Sequence, residues 1–400
     1  MSANVQQQHS SSGTGPFAGF RARFASGDLG LIPVIIALIV IWIVFQSVNG
    51  NFLSGRNLSN LILQIAEIGM LGIGETFVLL LGEIDLSIGA VSGVAAAVLV
   101  LLSVAGVNPW VCILASVVSG GLIGLFQGFW VTIIGVPAFI VTLAGSLGYQ
   151  GILLGMLGNT GTVPISNQTL LNLTSTYVPP WLGWVMMIVV VVLYAGGTFM
   201  MQKNRERRHL PAQSTGATLF RSLILVVVSA IVVGVLNTYR GLPVAGFILL
   251  VFVVLFAFVT QSTVYGRHIY ALGGNKEAAR RAGINTRSIK ISIFTLAGLM
   301  GAIGGIIGAS RLGSASPASG GGNLLMDSIA AAVIGGTSLF GGRGSMWNAL
   351  AGALVIGSVE NGMDLLSAPS STKYIVEGGI LLLAVTIDTF TRRRRTRAGR

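Results

Sequence analysis

The sequence predicts an all-α polytopic membrane protein of about 10 to 12 transmembrane or re-entrant helices with an internal repeat. Three observations carry this. The 400 residues are 53% hydrophobic and 9% charged, with a mean hydropathy of +0.83, far from the composition of a water-soluble domain. Apolar runs of about 20 residues, the length that crosses a bilayer core, recur along the chain. From residue 57 to residue 202 there is no Lys or Arg, and the only acids are Glu67, Glu75, Glu83 and Asp85. No soluble domain presents so uncharged a surface.

Residues 1–28 are rich in Ser, Gln and Gly and are expected to form a disordered N-terminal segment. Residues 29–48 follow as a first span, and no small-residue cleavage site occurs at "QSVNGNFLS", so they read as an uncleaved helix rather than a signal peptide. Further spans are expected near 59–81, 86–106, 110–134, 137–157, 181–201, 220–238, 243–261, 290–310, 326–340, 346–366 and 374–390. The transmembrane region thus runs over 29–391, broken by a polar loop at 265–290 and followed by a basic tail at 392–400. Gly supplies 56 residues, about twice the ordinary share. Small residues let helix backbones approach closely in lipid, which accounts for most of them.

The net charge of +12 is unevenly placed. Nineteen of the 24 basic residues fall at 21–23, 203–221, 267–290 and 392–400. Basic clusters beside apolar runs mark cytoplasmic segments, so both termini are expected inside and the number of crossings even. The polar stretch 158–180 then lies outside, with Tyr177, Trp181 and Trp184 suited to an interfacial belt. No aromatic-interleaved basic surface accompanies the clusters, so they point to orientation and contact with anionic membrane lipid, not to nucleic acid. The sequons at Asn167 and Asn172 read as chance matches.

Composition also removes several chemistries. Cys112 is the only cysteine, and His9, His209 and His268 sit far apart in polar segments, which disfavours an intrachain disulfide, a thiolate metal site or a His-based catalytic centre. No GxxxxGK[ST] phosphate loop occurs. The chain is therefore read as a non-enzyme with no metal or catalytic residues, any ATP hydrolysis being supplied by another chain.

Two glycine-interrupted segments echo one another. "LLLGEIDLSIGAVSGVAAAVLV" (79–100) and "AAVIGGTSLFGGRGSMWNALAGALV" (331–355) each run from apolar to Gly plus polar to Gly plus small apolar residues. Downstream, Gln127-Gly128 finds its counterpart in Asn361-Gly362. Broken helices in corresponding halves point to a translocation path.

The loop at 265–290 contains "NKEAARRAG", with the pattern of a short helix: Asn275 as N-cap, Glu277 in the first turn, Arg280 and Arg281 near the end, and Gly283 as terminator. At 1.5 Å per residue it is about 10 Å long. Alone it would not be stable, so it docks on its own protein or on a partner.

Here the residues resemble a family. "EAARRAG" (Glu277, Ala278, Ala279, Gly283) resembles the EAA-x3-G loop by which permeases of ATP-binding-cassette importers contact their ATPase, and "GEIDLSIGA", "VPAFIVTLAG" and "DSIAAAVIGGTSLFGGRGS" are similar to signature segments of the monosaccharide permeases. The likeness spans about residues 30–391. Glu83, where ribose-type members have Gly, together with "NTYRGLPVAG" and "YIVEGGILLLAV", resembles the xylose members; Ala90 departs from the usual Ser. The resemblance implies a permease dimer in a bacterial inner membrane, importing a monosaccharide, with D-xylose the expected sugar. It implies as partners a second permease copy, a cytoplasmic ATPase and an extracytoplasmic sugar-binding protein. The chain itself would hold no cofactor, ATP and Mg²⁺ being on the ATPase. Residues 275–283 would transmit ATPase closure to the helices.

Individual residues along the expected path carry two readings each. Glu83 and Asp85 would line a gate and bond sugar hydroxyls, or cap the helix starting near Leu86, a role that suits Asp85 with Ser87 assisting. Gln127 and Asn361 would read hydroxyls or bond between helices. Asp327 is expected to cap its own helix, and Thr337 and Ser338 to satisfy backbone groups at the second break. A proton-coupled carrier using Glu83, Asp85 or Glu360 as relay is the competing transport reading, but it leaves the EAA-like loop unexplained. A membrane-embedded enzyme lacks any convergent set of His, Cys or carboxylates.

Overall fold

The computed structural model describes residues 32–158, 161–207 and 215–397; the segment 1–28, expected to be disordered, and the last residues of the basic tail lie outside these. The described residues form 15 helices and two pairs of two-residue strands. The helices are α1 (Ile32–Val48), α2 (Gly55–Leu80), α3 (Ile88–Val104), α4 (Pro109–Phe129), α5 (Ala138–Leu157), α6 (Gln168–Ser175), α7 (Pro180–Arg207), α8 (Thr215–Asn237), α9 (Val244–Ser262), α10 (Val264–Gly274), α11 (Lys276–Arg281), α12 (Thr286–Leu312), α13 (Leu324–Ile334), α14 (Met346–Leu365) and α15 (Ser370–Arg397). A π-helical turn, Trp130–Ile134, ends α4.

Seven helices (α2, α4 with its π turn, α5, α7, α8, α9 and α12) are long and apolar enough to cross a bilayer, and α1, α3 and α13 are shorter apolar helices. An all-α multi-pass membrane protein is therefore what the chain builds. With no water in the bilayer to bond backbone amides, only such closed hydrogen-bonding elements can span it.

Burial sorts the helices into a centre and a rim. The apolar window of α2 is 83% buried and that of α12 67%, whereas α7 contributes none. α12 packs along α2, α3 and α4. Its crossing with α4 is made by glycines: a Cβ on Gly124 would stand 2.2 Å from the Phe294 carbonyl oxygen, and one on Gly298 2.2 Å from that of Gly120. Backbone here meets backbone, the close approach that small residues permit in lipid.

The two ends of the bundle differ. At one, the strand end, Val163–Pro164 (β1) pairs antiparallel with Ser314–Ala315 (β4), and Tyr177–Val178 (β2) with Leu242–Pro243 (β3). At the other, the α10–α11 end, lie α10, α11 and the irregular stretches 81–87 and 335–345.

One expectation is corrected and two are extended. The span near 326–340 is an 11-residue helix, α13, followed by non-helical chain; Gly336, Gly341, Gly342 and Gly344 all take positive φ there, which ends the helix. The loop at 265–290 is mostly helical, because Tyr265, Ile269 and Leu272 recur at helical spacing and α10 starts on a Thr263 cap to Gly266 N. The polar stretch 158–180 contains α6, capped by Asn167 onto Thr169 N at 2.8 Å.

Candidate functional site

At the α10–α11 end, α11 has the predicted grammar. Asn275 Oδ1 accepts from Ala278 N at 2.9 Å. Glu277 pairs with Arg280 at 3.2 Å and Arg281 at 3.3 Å, all three exposed. Gly283, at φ +81, donates to Arg280 O, and Ile284 N to Ala279 O, the double bond that closes a helix in a left-handed cap. Only Ala279 is buried, at 3% exposure. The short helix thus rests on one small residue and presents its charged face outward.

α10 holds this platform to the membrane helices. Ile269 and Leu272 are buried in the main core. Tyr265 Oη bonds Ser292 Oγ on α12 at 2.6 Å, and Tyr270 Oη donates to Gly344 O at 2.8 Å. Burial raises both phenols above their ordinary value, so both remain hydroxyls across the physiological range. Gln261 on α9 donates to Ser345 Oγ at 2.9 Å.

The two glycine breaks that echo in sequence meet in space, directly beneath α10. Gly342 N donates to Leu80 O at 2.9 Å, and a Cβ on Gly82 would lie 3.3 Å from Phe340 O. Gly273 of α10 sits against both, its hypothetical Cβ 1.7 Å from Leu80 O and 2.7 Å from Gly342 N. Glu83, in the first break, forms an ion pair with Lys290 of α12. Ser338 N donates to Arg343 O and Ser338 Oγ accepts from Phe340 N, closing the second break, while Thr337 is buried with its hydroxyl unbonded among the described residues.

Asp85 secures the start of α3 from a distance. Its Oδ1 accepts from Ser87 N at 2.8 Å and Ser87 Oγ at 2.6 Å, so it folds the chain into Ser87, the residue before Ile88, and the helix starts two residues later than Leu86. Gln127 of α4 donates to Ser87 Oγ at 2.6 Å and reaches Tyr149 Oη on α5 at 3.4 Å. Gln127 therefore bonds between helices. Asn361 does the same in the other half: its Oδ1 accepts from Asn57 at 2.6 Å and its Nδ2 donates to Gln64 Oε1 at 3.0 Å, both on α2. Asp327, expected as a cap, is not one; Asn323 precedes the first helical residue and Asp327 lies within the first turn of α13.

Asp327 instead faces a cavity of about 220 Å³ toward the strand end, lined also by Glu67, Ser92, Arg311, Asn323 and Glu360. Arg311 pairs with Glu67 at 3.6 Å. A neighbouring hollow of about 450 Å³, lined by Asn57, Gln64, Asn361 and Asp364, shares Arg311. Reasoning on sequence missed Glu67, Arg311 and Asn323. A signal existed: Arg311 is the only basic residue between Lys290 and Arg343, and an ionisable group inside an apolar run is a functional candidate by default.

Comparison with known proteins agrees with the motifs. The xylose transport system permease protein of Escherichia coli strain K12 is 38% identical over 382 residues, covering 95% of this chain and 96% of that protein. Its counterpart in Haemophilus influenzae is 38% identical over 374 residues, 93% of this chain and 99% of that protein. The ribose import permease protein of Bacillus subtilis strain 168 is 31% identical over 353 residues, 88% and 91%. No solved structure matches the chain. A family model described as branched-chain amino acid transport system / permease component matches residues 57–385, most of the sequence, and the chain belongs to that family of transport-system permease components.

Proposed function

We propose that this chain is the membrane-spanning permease subunit of an ATP-driven importer that moves a monosaccharide, D-xylose first among pentoses, across a bacterial inner membrane. The sugar assignment rests on the relatives named for xylose and ribose transport. The observation that carries the mechanism is the α10–α11 platform: a capped, outward-facing charged helix whose support packs onto both helix breaks. Such an element docks in a partner, and the partner is a cytoplasmic ATPase that holds ATP and Mg²⁺. A second copy of this chain and an extracytoplasmic sugar-binding protein complete the importer, lipid surrounding the exposed apolar rim.

The α10–α11 end is accordingly cytoplasmic and the strand end extracytoplasmic. Twelve passages of the described helices, α13 with its break taken as one, would suit both termini on the cytoplasmic side. The chain has no chemistry to perform. ATPase closure displaces α11, and the displacement reaches the cavity-bearing helices through α10 and the two breaks, a coupling between two arrangements of one helix bundle.

The test is uptake of labelled D-xylose, D-ribose and D-galactose into proteoliposomes containing this chain, its ATPase and its binding protein. Uptake that requires internal ATP and survives a protonophore is expected, with D-xylose preferred. Uptake driven by a proton gradient without the ATPase would refute the importer reading, and preferred uptake of a branched-chain amino acid would refute the substrate.

A further inference from the structure

The 220 Å³ cavity is walled by five helices, α3 contributing Ser92, and carries charge of both signs. Glu67 comes from α2, Arg311 from α12, Asn323 and Asp327 from the start of α13, and Glu360 from α14. Asp327 is 5% exposed, yet its carboxylate receives no hydrogen bond from any described residue, and Glu360 likewise has neither hydrogen bond nor ion pair. Carboxylates that face a cavity without protein donors are left to water or to a ligand. Asn323 is held from outside by Glu377 of α15, and Glu67 pairs with Arg311, so Asp327 and Glu360 are the carboxylates of this wall left without a protein partner among the described residues.

The chemistry of the walls selects the occupant. Carboxylates only accept and a guanidinium only donates. An anion would meet three carboxylates, and a bare cation would meet Arg311. Among the described residues, moreover, no three His, Cys, Asp or Glu side chains are grouped to hold a metal ion. Hydroxyl groups donate and accept at once, so a neutral polyol pairs with both signs. The volume lies below the roughly 300–1,000 Å³ that takes drug-sized ligands, the scale of a single sugar ring. The larger hollow shares Arg311 with the cavity and is lined by Asn57, Gln64 and Asn361.

We propose that this cavity is a sugar-contact site within the permease, where Asp327 and Glu360 accept hydrogen bonds from hydroxyls of the passing monosaccharide and Arg311 donates to its oxygens. This rests on the importer reading above and adds that the permease itself discriminates between sugars. A site built to bond a hydroxyl rejects an analogue that lacks it, because the partner is left unpaired.

The experiment compares uptake of D-xylose with uptake of its single-deoxy analogues by the complete importer, using wild type, Asp327→Asn, Glu360→Gln and Arg311→Lys. The binding protein is common to all, so its own selectivity cancels in the ratio between variants, and the ratio does not depend on how much of each variant inserts. Loss of a hydrogen bond to a charged group predicts a change of about tenfold or more in discrimination against at least one deoxy analogue. Discrimination equal to wild type in all variants overturns the proposal, as does an uptake requirement for an added cation that Asp327→Asn abolishes. Because the variants risk failing to fold, a second measurement uses Ser319→Cys in a Cys112→Ser background. Ser319 lines the same cavity, and its alkylation during turnover should slow at least threefold with D-xylose; an unchanged rate again overturns the site. Wild type that imports no sugar would sink the importer reading instead.

Discussion

Gly273 is where the platform, the first break and the second break touch, so adding one methyl group there should separate ATP hydrolysis from transport. Two effects of Gly273→Ala oppose each other. Alanine favours the helix by up to about 1 kcal/mol over glycine. Its Cβ, however, would stand 1.7 Å from Leu80 O and 2.7 Å from Gly342 N, inside any allowed contact and against backbone atoms that have no rotamer to change. Overpacking of this kind costs about 1–3 kcal/mol, and parting the 2.9 Å Gly342 to Leu80 bond adds about 0.5–1.5 kcal/mol. The clash wins by about 2 kcal/mol, a factor of up to about 30 in the docking equilibrium. The neighbouring Gly274 is the control, since nothing lies within 4 Å of its hypothetical Cβ. In proteoliposomes scored for both ATP hydrolysis and D-xylose uptake, Gly273→Ala is expected to lower sugar moved per ATP at least tenfold, with Gly274→Ala within about twofold of wild type. A wild-type ratio for Gly273→Ala would refute the claim that α10 acts through these breaks.

Asn275→Ala removes the cap of α11 and should cost about 1 kcal/mol, read as a roughly fivefold weaker affinity for the partner ATPase; an unchanged affinity would mean that α11 is held by the partner alone. In the Glu83–Lys290 pair the lysine side chain is the more buried, 9% exposed against 25%, so stranding it is worse. Glu83→Gln should therefore lower thermal stability in detergent more than Lys290→Met, and the double variant should recover part of the loss. Asp85→Asn keeps an acceptor for Ser87 while removing the charge, and is expected to retain uptake, whereas Asp85→Ala, which loses both bonds, should destabilise by about 1–3 kcal/mol. Gly124→Val at the α4–α12 crossing should lower the melting temperature sharply, and Gly148→Ala, with open space around it, should leave it within error.

Legibility followed the range of the forces. The cap of Asn275, the terminator Gly283 and the apolar lengths of α2, α4 and α9 are local, and each could be read from a few consecutive residues. α10 was missed because its polar residues masked a helical stripe of only Tyr265, Ile269 and Leu272, whose burial depends on tertiary contacts. Asp327 was misassigned for a related reason: an Asp near a helix start looks like a cap whether or not a cavity lies beside it. The cavity could not be read at all, since Glu67, Arg311, Asp327 and Glu360 are spread along most of the chain and meet only through packing. The echo of the two breaks was visible as pattern, but its meaning, a shared contact under Gly273, is a fact of three dimensions.

That contact and the cavity are joined by the same helices. Glu67 and Leu80 lie on α2, 13 residues or about 20 Å apart. Arg311 and Lys290 lie at opposite ends of α12, about 32 Å apart. Asp327 is on α13, which runs into the second break, and Glu360 is on α14, which leaves it at Ser345. Every charged wall of the cavity is therefore the far end of a lever whose near end is held by α10, by Glu83 or by the break itself. A helix transmits displacement along its axis because its hydrogen bonds resist stretching, so unequal displacement of the near ends by an ångström or two would change the spacing of the carboxylates and the guanidinium. On the two proposals above, hydroxyl binding and platform position are two readings of one equilibrium. Sugar-site variants should then alter the ATPase's response to loaded binding protein, and Gly273→Ala should blunt that linkage from the other side, because a coupling free energy between two sites is reciprocal.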